Sequence, residues 1–215
     1  IEDSMEIQLF YDKVNEYLTS ECFSVEDALY PNNKRSVGFV RVSYQQRVAS
    51  SLFSCKKSLE RRLEKVNELK KRIDYNYETK SYYDCLGLGD ALDDIDLDDQ
   101  LSADSDEVII ETTTSIDIKA LRRAVGIEST ALNSLCNQAD SLLKSCGDMK
   151  ICRSIRLANE CLNKGDTVLL FSRYTDTIDA LLHEFERIGM SNKFVYGIYT
   201  GKTAEIIDGT RREYC

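Results

Sequence analysis

Apolar side chains recur at steps of three or four residues along most of the chain, and this period predicts amphipathic helices. A shorter pattern predicts a helix after Asp3, and Ser24 can cap a second one. The longest pattern predicts one uninterrupted helix within 37–77. Its apolar positions are Val48, Leu52, Cys55, Leu59, Leu63, Val66, Leu69 and Ile73.

Three further helices are predicted between residues 115 and 165. Ser115 can cap the first, and Gly126 is expected to end it. The second contains Leu132 to Cys146 and is expected to end at Gly147. Asp148 is expected to cap the third, which has Ile151, Ile155, Ala158 and Leu162 on its apolar face and ends at Gly165.

The pattern changes after Gly165. The four-residue apolar run 168–171 is bounded by this glycine and by polar residues, which predicts a buried strand. Polar residues 172–177 open a helix that Gly189 can end, and a second apolar run, 194–199, predicts another strand. A strand, a helix and a strand in this order form a βαβ crossover, which implies a parallel sheet. The predicted fold class is therefore α/β.

Functional loops in a parallel sheet lie at the carboxyl ends of its strands. The residues placed there are Ser172, Arg173, Tyr174 and Thr175 after the first strand, and Thr200 and Gly201 after the second. A hydroxyl, a guanidinium and backbone amides near a helix N-terminus are groups that hold a phosphate. In the simpler interpretation, 172–177 only caps the helix, with Thr175 or Asp176 as the N-cap residue.

The net charge of −9 argues against a general nucleic-acid-binding surface. This average hides two opposed blocks. Residues 34–72 contain twelve basic residues against three glutamates, whereas 84–111 is rich in Asp and Glu and contains no basic residue. The acidic block shows no sustained apolar period and predicts a flexible insertion. Arg61 and Arg62 belong to the basic block, and a charge run on a helix is usually a solvated face.

The chain has eight cysteines, none of them in a Cys-x-x-Cys pair, and His183 is its only histidine. A structural zinc site requires closer ligand spacing or more histidines. We therefore expect free thiols among the apolar helix positions and His183 on the surface. Free thiols favour a cytoplasmic location. No apolar run approaches the ~18 residues that a membrane helix needs.

Several stretches, taken in order, resemble one protein family. Residues 168–177, Val-Leu-Leu-Phe-Ser-Arg-Tyr-Thr-Asp-Thr, resemble the motif that opens the second RecA-like domain of superfamily 2 helicases, in the Swi/Snf-like and bacterial RNA-polymerase-associated ATPase branch. Residues 7–17 resemble the segment after the first RecA-like domain, and 44–51 with 59–62 resemble the helical region between the domains. Tyr199-Thr-Gly201 with Arg211 or Arg212 is similar to a later motif of the second domain.

The resemblance implies a helical connector followed by a partial RecA-like parallel βαβ unit, within an ATP-dependent helicase or translocase. In that family the loop matching 172–175 lies along the bound strand, and the loop with Thr200 and Gly201 faces the nucleic-acid backbone. ATP and Mg bind between the two RecA-like domains of the parent protein. The implied partners are nucleic acid, with DNA favoured, and the missing first domain. Arg47 is either a surface arginine or a charge that ties the long helix to a RecA-like domain.

The chain contains no phosphate-loop sequence and no acidic metal-binding box. Thr200-Gly-Lys-Thr203 does not qualify, because the first glycine of that motif would fall on Tyr196. We therefore expect no catalytic residue, no cofactor and no metal in this chain, and an isolated chain without ATPase activity. The sequence predicts the middle part of a motor protein.

The predicted organisation is a helical inter-domain region at 1–83, an acidic flexible insertion at 84–114, a helical region at 115–147 and the start of the second RecA-like domain at 148–215. The alternative is a helical protein–protein interaction module without enzymatic activity, in which the helix within 37–77 docks a partner.

Overall fold

A computed structural model describes residues 2–21, 24–29, 42, 44–75, 117–201, 204–208 and 211–214. The predicted acidic insertion lies outside these residues, as does Lys202. The helices are α1 (Glu2–Glu16), α2 (Ser24–Leu29), α3 (44–50), α4 (Leu52–Asp74), α5 (Ile118–Ser145), α6 (Met149–Leu162) and α7 (Thr175–Arg187), with a π-helical turn at Tyr17–Glu21 and a 3₁₀ turn at Met190–Asn192. The strands are β1 (Tyr196–Tyr199), β2 (Ala204–Asp208) and β3 (Arg211–Tyr214).

The predicted long helix is interrupted at Ser51, which corrects the expectation of one continuous helix. Ser51 is extended (φ −157°, ψ 158°), and its side chain accepts a hydrogen bond from the backbone N–H of Ser54. This is an N-cap, so α4 begins anew at Leu52 after α3 has ended. The apolar period alone did not reveal this break, because Val48 and Leu52 keep the helical spacing across it.

The opposite correction applies to α5, which is one helix where two were predicted. It runs through Gly126 without interruption, and Asp117 caps it in place of Ser115 by accepting from the N–H groups of Lys119 and Ala120. Packing decides the outcome here. One glycine in a helix costs only about 1 kcal/mol, and Leu121, Val125 and Leu132 on either side of Gly126 are all buried.

Helices α1 to α5 share one core. α4 and α5 lie antiparallel, as shown by ion pairs that join Lys56 to Asp140 at one end and Arg122 to Asp74 at the other. The buried apolar side chains include Phe10, Val14, Leu18, Val25, Leu52, Leu59, Val66, Leu69, Leu121, Leu132 and Ala139. The predicted apolar face of the 48–73 segment is therefore confirmed as a core face.

A buried carboxylate lies inside this core. Glu128 of α5 is fully buried, and its Oε1 pairs with the guanidinium of Arg62 at 2.6 Å. Oε1 also accepts from the hydroxyl of Tyr17 at 3.2 Å, and Oε2 accepts from the hydroxyl of Ser24 and the N–H of Val25 at 3.3 Å each. One side chain thus links the π-helical turn, α2 and α4 to α5. The expectation that Arg62 is solvated is wrong, because Arg62 is only 5% exposed.

A second, smaller group of buried side chains lies between α6, α7 and the 3₁₀ turn. It consists of Ile151, Ile155, Ala180 and Met190, and Phe53 of α4 packs against it. The predicted cap Asp148 is confirmed, and Gly165 and Gly189 follow α6 and α7 with positive φ values of 90° and 74°. The two groups of buried side chains adjoin in sequence around Gly147, and the predicted domain boundary there stays a prediction.

The predicted strand 168–171 does not form. These residues have no regular secondary structure, and Leu169, Leu170 and Phe171 are 76%, 49% and 90% exposed. The sheet of the described residues has the order β1-β2-β3 and both pairings are antiparallel. The second predicted strand is confirmed as β1. The coarse class therefore holds, a mostly helical chain with a small sheet, but the predicted parallel βαβ unit is not observed.

Candidate nucleic-acid interface

The loop 172–174 is held against α3. The guanidinium of Arg173 donates from Nη1 to Oε1 of Gln46 at 3.1 Å, and the hydroxyl of Tyr174 donates to the same oxygen at 3.3 Å. Gln46 therefore accepts from two adjacent loop residues that lie 127 and 128 positions away in sequence. Arg173 is nonetheless a solvent-exposed residue, so it is oriented by Gln46 while it remains accessible.

Arg47 supports this arrangement from the neighbouring position of α3. It is 7% exposed, and its guanidinium carbon lies 5.3 Å from the centroid of the Tyr174 ring. This distance fits a cation–π contact. Nη1 of Arg47 also contacts the hydroxyl of Ser58 on α4 at 3.5 Å. The interpretation of Arg47 as a surface arginine is wrong, because the residue is buried between α3, α4 and the start of α7.

The N-cap residue of α7 is Tyr174, not Thr175 or Asp176 as the capping interpretation predicted. Tyr174 makes no side-chain cap. The hydroxyl of Ser172 instead lies 3.2 Å from both the N–H and the carbonyl of Tyr174, which closes a tight local turn. Thr175 is exposed in the first turn of α7.

Asp176 has a different role from capping. Its carboxylate pairs with Arg61 of α4 through two contacts, Nη2–Oδ2 at 2.6 Å and Nη1–Oδ1 at 3.2 Å. This fork geometry is the strong, directional form of an arginine–carboxylate pair. The expectation that Arg61 lies on a solvated face is wrong, since Arg61 binds the first turn of the helix that follows the loop.

The start of α4 meets the start of both α6 and α7. The hydroxyl of Thr177 is buried and lies 2.8 Å from that of Ser50 and 3.3 Å from that of Ser51. Oδ1 of Asp148 accepts from the N–H groups at the start of α6, and Oδ2 accepts from the N–H of Phe53 at 3.0 Å. The bonds to Asp148 satisfy backbone donors that helix N-termini leave unpaired. The hydroxyl contacts of Thr177 hold the start of α7 against the start of α4.

The other two predicted site residues lie on the hairpin. Thr200 and Gly201 follow β1 in the connection to β2, and Gly201 is exposed. The ring of Tyr196 in β1 lies 4.9 Å from that of Phe185 in α7, which attaches the hairpin to that helix. The structure therefore joins Arg47 to Tyr174, and Gln46 to Arg173 and Tyr174, whereas Thr200 and Gly201 lie in the hairpin.

The pairing partners of the loop could not be found from sequence spacing. Gln46 and Arg61 lie more than 100 residues from the residues they contact, and no short motif encodes such pairs. The resemblance of 44–51 and 59–62 to an inter-domain region was the available signal, because both stretches contain the residues that hold the loop.

The described thiols are free, and the pKa values of several are shifted against reactivity. Burial raises the pKa of Cys55 to about 12 and that of Cys136 to about 11. Burial, together with Glu184, also raises the pKa of Cys152. Since the thiolate is the nucleophile and the metal ligand, these three act as apolar side chains. No group of three or more His, Cys, Asp or Glu with metal-binding geometry occurs within the described ranges.

None of the helices described by the structure is long and apolar enough to cross a membrane. Comparisons with protein-family models, with curated proteins and with solved structures found no match to this chain. Function must therefore be argued from the residues and their arrangement.

Proposed function

We propose that this chain is part of an ATP-dependent nucleic-acid helicase or translocase, in which it supplies strand contacts and the lever between two domains. The proposal rests on the contacts between the loop 172–175 and the connector: Gln46 accepts hydrogen bonds from Arg173 and Tyr174, and Arg47 lies over the Tyr174 ring. The sequence resemblance had placed these two stretches on either side of a domain junction. Their direct contact is what a connector that positions a strand-binding loop requires.

In the proposed mechanism, Arg173 contacts a phosphate of the bound strand. Arg173 is an exposed residue, and Gln46 restricts the orientation of its guanidinium. The exposed Thr175 supplies a hydroxyl and the positive end of α7 adds a favourable dipole, so anionic oxygen is attracted to this point. Thr200 and Gly201 are proposed as further backbone contacts from the hairpin. ATP and Mg are proposed to bind between domains of the parent protein, which we place in the cytoplasm.

The partial RecA-like βαβ unit remains part of this proposal. The run 168–171 has the apolar composition of a buried strand, but its side chains are exposed like those of a strand that has no neighbouring strand. Because Leu169, Leu170 and Phe171 are 49–90% exposed, they would give up few contacts by joining a sheet. A strand is stable only when its backbone groups are paired. We propose that these residues become a strand in the parent protein.

The alternative is a helical interaction module in which the helix within 37–77 docks a partner. The apolar positions of α4 argue against that form of it. Leu52, Leu59, Val66, Leu69 and Ile73 are at most 2% exposed within the chain's own core, so this stripe is already occupied.

The test is the substitution Arg173→Ala, with binding of labelled single-stranded and duplex DNA followed by fluorescence anisotropy at two salt concentrations. We expect weaker binding by a similar factor for all sequences and a salt slope that is smaller by about 0.7 to 0.9, the contribution of one phosphate contact. Thermal stability should change little, because an exposed loop arginine contributes little to the fold.

Arg156→Ala is the matched control, since Arg156 is an exposed arginine on α6. Removal of either arginine changes the net charge equally, so only a local contact distinguishes them. An unchanged salt slope for Arg173→Ala, or an equal effect of both substitutions, would contradict the proposal. In a longer protein that contains this chain, Arg173→Ala should lower the nucleic-acid-stimulated ATPase rate and spare the basal rate.

A further inference from the structure

Six cations belong to the last two turns of α4 and the first two turns of α5. They are Lys70, Lys71, Arg72, Lys119, Arg122 and Arg123. The ion pair between Arg122 of α5 and Asp74 of α4, 3.8 Å long, joins the two helices at this point. We call this surface the basic end.

Four of these cations have no ion pair with any residue that the structure describes. Arg72 pairs with Glu68 at 2.7 Å, and Arg122 with Asp74. Lys70, Lys71, Lys119 and Arg123 are exposed and unpaired within the described ranges. Within the part of the chain that the structure describes, no carboxylate offsets their charge.

Helix stability explains only half of this cluster. Lysines near the C-terminus of α4 complement the negative end of its dipole. Lys119 lies in the first turn of α5, where the positive end of the dipole disfavours a cation and the helix has no acidic residue. Arg122 and Arg123 follow in the second turn, where the dipole gives cations no benefit. Helix stability therefore does not account for the cations of α5, whereas an anionic partner would.

The negative net charge of the chain does not extend evenly over it. Residues 84–111 contain eleven of the 37 acidic residues and none of the 28 basic ones. The remainder of the chain therefore carries more basic than acidic residues. The basic end groups six of these basic residues at the junction of α4 and α5.

We propose that the basic end is a second contact surface for the phosphate backbone of a nucleic-acid strand. This inference rests on the proposed function and extends it from the loop to the far end of α4. Arg61, which anchors the start of α7, and Lys71 are ten residues apart on α4, which corresponds to ~15 Å. At ~3.4 Å per nucleotide, a strand of about five nucleotides covers that distance.

The test compares the affinities of the full chain for short and long single-stranded DNA. The variant Lys70→Gln, Lys71→Gln, Lys119→Gln, Arg123→Gln removes the four unpaired cations. We expect affinity for an oligonucleotide of about twenty residues to fall by about tenfold or more, and the salt slope to fall by up to about 3, because each lost single-strand contact contributes ~0.7. Affinity for an oligonucleotide of about four residues should hardly change.

The control variant Lys144→Gln, Arg156→Gln, Lys164→Gln, Lys193→Gln removes the same charge from exposed positions elsewhere. It should retain at least most of the affinity for the long strand. Circular dichroism melting of both variants excludes unfolding as the cause. Equal losses for the two variants, or no loss for either, would overturn the inference.

Two further experiments distinguish a failure of this inference from a failure of the proposed function. Arg173→Ala should weaken binding of short and long strands alike, so it can succeed while the basic-end variant fails, and the proposed function then survives without this inference. In the other experiment, a Gly/Ser linker replaces 84–111. If the chain binds the long strand through the four cations only after that replacement, the acidic block of the same chain is their occupant, and the nucleic-acid assignment is overturned.

Discussion

The α1–α5 core and the region from α6 to β3 differ in how they use their apolar side chains. In the first region, apolar side chains that are nearly inaccessible to solvent recur along α4 and α5, and even a carboxylate is enclosed there. In the second region, the buried group of the described residues has just four members, Ile151, Ile155, Ala180 and Met190. Leu169, Phe171, Val195 and Tyr199 of this region are more than 60% exposed.

Apolar sequence therefore has two different structural outcomes in this chain. In α1–α5 the apolar side chains pack against one another within the chain. In 168–171 and along β1 they form apolar surface that the described residues do not cover. Large exposed apolar surface usually marks a contact site, and the proposed function assigns that surface to further strands of a parent domain.

The largest effect is expected for Glu128→Ala. This change leaves the guanidinium of Arg62 buried without its carboxylate and removes acceptors from Tyr17, Ser24 and Val25. Breaking a buried pair by removing one partner costs about 3–5 kcal/mol, so the urea midpoint should fall steeply. Glu64→Ala, an exposed glutamate on α4, is the control and should change the free energy of unfolding by less than about 0.5 kcal/mol. A loss below about 1 kcal/mol for Glu128→Ala would show that the pair is hydrated.

The second prediction compares two leucines directly. Leu132→Ala creates a cavity in the α1–α5 core, where the side chain is 0% exposed, and should cost about 3 kcal/mol. Leu169→Ala removes a side chain that is 76% exposed and should cost less than about 0.5 kcal/mol. Urea unfolding of both variants measures the difference. Equal costs would mean that 168–171 packs in solution, and the contrast between the two regions would fail.

Periodicity made the first region predictable. The positions expected to face the core from Val48 to Ile73 do so, because a helix repeats its face every 3.6 residues and needs no knowledge of its partner. The capping residues were harder to assign. Asp148 was identified correctly, but Ser51 and Asp117 were missed, since a serine or aspartate in an apolar period is as compatible with a helix interior as with a cap.

The second region was less predictable, because strands depend on distant neighbours. The run 168–171 has an apolar pattern but no paired neighbour, whereas β2 and β3 were missed although the Asp208-Gly209 step is a hairpin signal. The contacts of the candidate site were also hidden. Gln46 holds both Arg173 and Tyr174, and the position of a tertiary hydrogen bond is set by the fold and not by local composition.

The third prediction concerns the link between the two regions, the pair of Arg61 and Asp176. The bidentate contact at 2.6 and 3.2 Å is partly shielded from solvent. A double-mutant cycle with Arg61→Ala and Asp176→Ala should give a coupling energy of about 1 kcal/mol, measured by urea unfolding. Arg187 and Glu184 of the same helix provide a control pair, which is local and has an arginine that is 61% exposed, and should couple by less. Zero coupling for Arg61 and Asp176 would mean that the salt bridge does not join the regions in solution.

The smallest effects are expected at two glycines, one in each region. Gly126 lies inside α5, and a Cβ there meets no atom within 4 Å. Gly126→Ala should therefore raise the free energy of unfolding by about 0.5–1 kcal/mol, because alanine loses less backbone entropy than glycine in a helix. Gly165 also has open space around its Cα, but its φ is +90°. Gly165→Ala should lower stability by about 1 kcal/mol, because an L side chain is strained in that conformation. Thermal melts of the two variants should thus shift in opposite directions, although neither substitution makes a clash. A destabilising Gly126→Ala would indicate that α5 is not continuous at this point, and that two helices meet there as the apolar pattern first suggested.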